Sequence, residues 1–258
     1  MGARRGCYAP LDRIKGSIVD EQAFTAYMQQ RKKTPATQAR YLDHLRAFES
    51  FLTEQRGTYI EAATGDDVHA FVDWVEGGGK ATRLLRKALW GLWTYAEWTD
   101  NESLFLAVMQ RLGDQAVRDI RLREYPDIDP AQVERLADLG IRSAADLLAA
   151  GRTSADRAAL CQQANINPAV LLRMLQYADL LRLPGTKMLR VQMIHTAGYV
   201  SLDRIAACPD VSTFLADVNR VIAGSESAKL GLGDKEGHVI LQLARHFPPL
   251  VEWPQRAG

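Results

Sequence analysis

A chain of 258 residues with 47% apolar and 24% charged side chains has the composition of an ordinary globular protein, which excludes disordered and fibrous classes. Its formal net charge is only +1, so a strong grip on a polyanion has to come from local clustering rather than from the total. No apolar run approaches the roughly 20 residues that cross a bilayer, and no apolar stretch follows Met1-Gly2-Ala3-Arg4-Arg5, so a cytoplasmic protein without a membrane partner is expected.

Apolar stripes of period 3.6 recur from end to end and period-two alternation is not sustained, which predicts an all-α fold. Residues 1–20 read as an extension. Tyr41, Leu45, Phe48 and Leu52 then line one face of a helix that begins after Thr34-Pro35 and stops at Gly57. Thr64 and Asp67 have capping-box spacing, with Asp in place of Glu or Gln, and open a helix with Val68, Phe71, Val72 and Val75 on one side. Gly77-Gly78-Gly79 stops it. The next helix runs from about Ala81 to Trp98, with Leu85, Ala88, Leu92, Tyr95 and Ala96 facing inward.

Lys80, Arg83, Arg86 and Lys87 occupy the first two turns of that helix with no acid between them. Cations near a helix N-terminus oppose the macrodipole by roughly a few tenths of a kcal/mol or more, so helix stability does not explain them. A solvated face and a phosphate contact stand as equal readings. A second basic concentration, Arg31, Lys32, Lys33, Arg40 and Arg46, is opposed by Asp43 alone. Trp90 and Trp93 share a helix face and Trp98 lies near the helix end; one is expected in the core, and an exposed one would suit a protein interface as readily as base stacking.

After a helix near Leu104 to Val117, the charged stretch 118–124 is read as the junction between a first domain, 21–124, and a second, 125–223. The second repeats at a spacing of 58: Pro126 with Pro184, Val133 with Val191, Leu136 with Ile194, Gly140 with Gly198, Ser143 with Ser201, Leu147 with Ile205. Each copy reads as a tight turn, a helix ended by glycine, and a serine capping another helix. A helix from Pro168 to about Leu181 runs into Leu183-Pro184-Gly185-Thr186-Lys187, the outline of a helix-hairpin-helix element. Free amides at the start of its second helix can hold a phosphate. The tail, 224–258, contains a short amphipathic helix built on Ile240, Leu243, Ala244 and Phe247, with no indication of what it docks on.

Cys7, Cys161 and Cys208 are scattered without paired spacing, and His44, His69, His195, His238 and His246 lie far apart, so neither metal nor nucleophile chemistry is expected. Gly77-Gly78-Gly79-Lys80 lacks the spacing of a phosphate loop, and Asp66-Asp67 is explained by helix capping. No cofactor is implied.

From about Glu21 to Leu104 the residues Thr34-Pro35-Ala36-Thr37, Tyr41, Leu45, Phe48, Thr64-Gly65-Asp66-Asp67-Val68, Gly78-Gly79-Lys80-Ala81-Thr82, Leu89 and Tyr95 resemble the core-binding domain of tyrosine recombinases of the phage-integrase type. The resemblance implies a four- or five-helix clamp on duplex DNA and would assign Lys80, Arg83, Arg86, Lys87 and Arg40 to phosphate contact. No His-x-x-Arg of the recombinase catalytic domain occurs, which implies binding without strand cleavage.

From about Tyr125 to Ile222 the chain resembles an uncharacterised bacterial helix-hairpin-helix family, through Leu139-Gly140-Ile141-Arg142-Ser143, Asp146-Leu147-Leu148, Ala178 to Gly185, and Ala197 to Ser201. Its first hairpin, Pro126-Asp127-Ile128-Asp129, is acidic and should repel phosphate. The second keeps only Gly185, and this turn, with Thr186 after the glycine and Lys187 and Arg190 to help, is the candidate anion site.

The sequence therefore points to a non-catalytic nucleic-acid-binding accessory protein, with DNA favoured over RNA and a protein partner or a second copy left open. The alternative is a protein–protein adaptor that binds no nucleic acid, favoured by the balanced charge and the acidic first hairpin. An enzyme of unfamiliar design ranks third.

Overall fold

A computed structural model describes residues 19–78, 82–225 and 231–253, and of residues 82–84 the backbone alone. Among the described residues there are thirteen α-helices and no strand, so the fold is all-α. Lys80 lies outside the described residues, as do the Arg83 side chain, Cys7 and nearly all of the extension. The backbone forms two compact units that divide in sequence between Phe105 and Leu106.

The first unit holds α1 (Glu21–Gln30), α2 (Pro35–Phe51), α3 (Gly65–Gly77), α4 (Thr82–Trp98) and the start of α5 (Glu102–Asp119). Local chemistry sets the boundaries. The Asp20 carboxylate accepts the Ala23 amide at 2.9 Å to open α1, and Thr34 caps α2 ahead of a proline in its first turn. Beyond α2 a π-helical turn, Leu52–Arg56, ends at Gly57, whose φ of +64° suits glycine. The Thr64 amide and hydroxyl each donate to Asp67 at 2.9 Å, and Arg56 Nε donates to the same carboxylate at 2.9 Å, which ties the start of α3 to the end of α2. Phe48, Phe51 and Phe71 pack edge to face at 5.1 and 5.4 Å, and Phe24 and Met28 are fully buried.

α4 lies against α2. Leu85, Ala88, Leu92, Tyr95 and Ala96 are buried, and Gly91 permits the approach: a Cβ there would already touch Tyr41 Cα and His44 Cβ at 3.5 Å. Trp90, Trp93 and Trp98 are all half-buried, with Trp90 and Trp93 edge to face at 5.3 Å. The large aromatics that stand exposed are instead Tyr59 and Trp74.

The second unit continues with α6 (Pro130–Asp138), α7 (Ala144–Ala150), α8 (Ser154–Ala164), α9 (Pro168–Leu180), α10 (Met188–Thr196), α11 (Leu202–Ala206), α12 (Val211–Ala223) and α13 (Asp234–His246). The sequence repeat is also a structural one: α6 and α10 begin and end 58 positions apart, and so do the starts of α7 and α11. Gly140 and Gly198 take φ of +83° and +96°, and the residues after them donate back to Leu136 and Ile194 at 3.0 and 3.2 Å, a Schellman ending in both copies. Ser143 and Ser201 cap the helices that follow.

The charged stretch 118–124, read as a junction, is built into this unit. Leu122 is fully buried, its amide donates to Arg142 O at 3.0 Å, the Ala144 amide donates to Ile120 O at 3.0 Å, and Arg121 and Ser143 form an isolated antiparallel bridge. The tail docks here too. α13 packs on α11 and α12, Arg245 Nη2 donates to Cys208 O at 2.9 Å, and Glu252 N donates to Arg152 O at 2.8 Å. Under it, Asp179 and Arg182 form an ion pair at 2.9 Å with 2% and 1% exposure; Arg182 also donates to Pro248 O, and Asp179 accepts the Leu202 amide, both at 2.8 Å. A Cβ on Gly113 would meet Arg182 O at 2.1 Å, so α5 reaches this pair only because residue 113 has no side chain.

Candidate nucleic-acid interface

The α2–α4 packing brings together cations that are 47 positions apart in sequence. Arg40 is exposed on α2, and Arg86 and Lys87 are half-buried on α4. His44, one turn after Arg40, reports their field: burial lowers its pKa below the usual 6.5 and Arg40 lowers it further, Asp43 opposes them, and the Lys87 charge, acting in the same sense as Arg40, is a smaller effect than Asp43 and is opposed in turn by a bond to the Lys87 backbone. Arg40 and Lys87 thus bring positive charge to bear on His44 from two helices, and Arg86 precedes Lys87 on α4. Sequence reading gave His44 no part in the interface. The signal that would have found it is the Arg40–His44 spacing of four, which places both side chains on one helix face.

Two of the five cations in the second basic concentration, Arg46 and Arg31, are spent on ion pairs. Arg46 binds Glu21 through two nitrogens, at 2.7 and 2.8 Å, and Asp43 at 3.1 Å. Arg31 pairs with Glu97 at 3.2 Å and lies over the Tyr27 ring at 5.1 Å. Arg40 is the member of that run that acts on His44.

In the second unit the structure separates the residues proposed around the Pro-Gly turn. Gly185 takes φ of +77° at an exposed corner, and exposed Lys187 stands at the start of α10 without a side-chain cap. The Thr186 amide, read as a free donor, is engaged: it donates to Leu183 O at 3.2 Å. Arg190, read as an anion ligand, is committed to the Glu236 carboxylate of α13, a partner 46 positions away. The turn thus offers Lys187 and the first amides of α10, and not the Arg190 charge. The equivalent turn in the first copy is closed. Asp129 Oδ1 accepts the Ala131 amide at 2.9 Å, so a carboxylate of the chain already occupies the anion position. Asp127, at φ +59°, is held by Arg173 Nη2 on its carbonyl at 2.9 Å and by Gln192 on its carboxylate at 3.2 Å.

Two family models match the chain. Residues 22–99 match the one described as phage integrase, N-terminal SAM-like domain, and residues 126–227 match the one described as domain of unknown function (DUF4332). No curated protein and no solved structure matches it. The integrase-like region holds α1 to α4 and with them the Arg40, His44 and Lys87 surface. The DUF4332-like region holds α6 to α12 and both turns.

Among the described residues no group of three or more His, Cys, Asp or Glu is placed to hold a metal ion, and no helix is long and apolar enough to cross a membrane. Cys161 and Cys208 are free thiols; burial pushes the Cys161 pKa up, away from the reactive thiolate.

Proposed function

We propose that the chain is a non-catalytic, cytoplasmic nucleic-acid-binding protein that lays the α2–α4 face of its integrase-like region on the phosphate backbone of duplex DNA. The observation that carries this reading is the convergence of Arg40 and Lys87 on His44, in a region whose family match is to a DNA-binding-related fold. Arg86 adds charge from the same helix, and Lys80 and Arg83 extend the run in sequence toward its start. Backbone contact of this kind is independent of base sequence and salt-dependent, because each neutralised phosphate releases counterions. The second unit adds Lys187 and the α10 amides at the Gly185 turn.

The test is fluorescence anisotropy of labelled duplex DNA, single-stranded DNA and duplex RNA across a salt series. Replacing Lys80, Arg83, Arg86 and Lys87 together by alanine should flatten the slope of log affinity against log salt for duplex DNA by about 3 to 4, at about 0.9 per phosphate. An unchanged slope removes the face from consideration. The adaptor reading is favoured for the second unit by one observation, the pairing of Arg190 with Glu236, and it takes over if the wild-type chain binds none of the three nucleic acids.

A further inference from the structure

We propose that a cavity in the first copy of the repeat binds a small phosphorylated organic ligand of nucleotide size. The cavity has a volume of about 530 Å³, within the usual range of small-molecule sites. One wall is apolar, made by Tyr125, Ile128 and Val133, and the polar part of the lining is Arg121, Arg123 and Arg142 with Glu134.

The three arginines are brought there by the backbone. The Arg121–Ser143 bridge, with Leu122 N donating to Arg142 O, sets the segments of Arg121 and Arg142 beside each other, and the 3-10 turn Leu122–Glu124 adds Arg123. None of the three guanidinium groups forms an ion pair or a side-chain hydrogen bond among the described residues. Two nearby carboxylates are hydrogen-bonded to backbone amides instead. Asp146, whose pKa Arg121 helps to lower, accepts the Arg142 and Ser143 amides at 3.0 and 2.9 Å, and Glu124 accepts the Arg121 amide at 3.4 Å. Like charges gathered on one rim repel, and an anion relieves that repulsion. Three guanidinium groups against one lining carboxylate match the two negative charges of a phosphomonoester, whose oxygens suit the planar guanidinium fork.

The body of the ligand follows from the wall. A flat apolar body can pack on the Tyr125 ring and the aliphatic side chains.

The second copy serves as an internal control. The residues 58 positions on from Arg123, Tyr125 and Val133 are Leu181, Leu183 and Val191, which are 0, 1 and 0% exposed. The position equivalent to Arg121 is the buried Asp179. At these positions the second copy is buried and carries no cation, where the first has Arg121 and Arg123 exposed.

Isothermal titration of the full chain with the mononucleotides AMP, GMP, CMP and UMP, with adenosine and inorganic phosphate as controls, tests the site. At least one mononucleotide should bind with a dissociation constant below about 1 mM, and both controls at least about tenfold more weakly. R121Q/R142Q should weaken binding at least about tenfold, and Ala137→Phe, which fills the cavity and leaves its charge intact, should abolish it, with the melting of each followed by circular dichroism. A parallel arm with a 5′-phosphorylated trinucleotide tells a free nucleotide from a strand end: binding of the trinucleotide alone assigns the site to an end. No binding of any of these ligands, or equal binding by the two variants and the wild type, overturns the proposal. The α4 alanine variant keeps this site, so its loss of duplex binding and a failure here are distinguishable.

Discussion

At one left-handed corner the first copy of the repeat has Asp127 and the second has Gly185, and two residues later the helix start belongs to Asp129 in one and to Lys187 in the other. The same backbone is therefore satisfied from within in one copy and left cationic in the other. The contrast reverses a few residues upstream. Asp179 and Arg182 form a buried pair in the second copy, while their equivalents Arg121 and Glu124 stand exposed in the first, Arg121 on the rim of the cavity. Each copy has one closed end and one open end. A duplicated scaffold fixes where helices start and stop, and the residues at those points decide which ends remain available to a ligand.

The buried pair should dominate stability. Asp179→Ala leaves Arg182 without a counter-charge in the interior and frees the Leu202 amide, so urea denaturation should show a loss of about 3–5 kcal/mol. Arg121→Ala, at the equivalent exposed position, should change stability by less than about 0.5 kcal/mol. A small effect of Asp179→Ala would mean that the second copy is not closed by this pair. The shared Schellman endings should behave alike: Gly140→Ala and Gly198→Ala are each expected to cost about 1–2 kcal/mol, because alanine must adopt their positive φ.

Exchanging the residues at the helix starts separates stability from binding. Lys187→Asp supplies the missing cap of α10 and should raise stability by about 1 kcal/mol in thermal denaturation while weakening duplex affinity; Asp129→Lys should lower stability by a similar amount. If Lys187→Asp leaves duplex affinity intact, the Gly185 turn takes no part in binding.

The smallest effect concerns pH. Asp146 completes the capping of α7, and its equivalent at α11 is Arg204, so this carboxylate acts in the first copy alone. Burial raises the Asp146 pKa, but the Arg142 and Ser143 bonds outweigh it and hold the pKa below the usual 3.8. Its contribution is therefore present above pH 3.8 and lost as pH falls below that value through the folded pKa. Asp146→Asn should remove about 0.5–1 kcal/mol at neutral pH and leave acid unfolding less steep.

The parts of this fold governed by neighbours in sequence were legible there. Thr34, Thr64, Ser143 and Ser201 marked helix starts, Gly57, Gly140 and Gly198 marked ends, and the spacing of 58 carried over residue for residue into α6 and α10. What escaped depended on distant partners. Glu236 neutralises Arg190 from 46 positions away, Glu21 takes Arg46 from 25, and Pro248 meets Arg182 from 66. Nothing near any of those arginines in sequence points to its partner. The α2–α4 surface was half legible, because the α4 charges are consecutive turns of one helix while Arg40 and His44 join them only through packing at Gly91. The cavity left no local trace, since Arg121 and Arg142 meet through a single bridge.

Whether phosphates occupy the α2–α4 face can be read at His44 by NMR titration of its imidazole with and without saturating duplex DNA. Free, the ring should titrate below the usual 6.5, with Arg40 and Lys87 acting against its protonation. Phosphates that neutralise those cations should raise that pKa, so that the complex takes up a proton and affinity increases as pH falls through this range. A His44 titration that is the same in the free and bound protein, at a duplex concentration where binding is complete, would contradict the assignment.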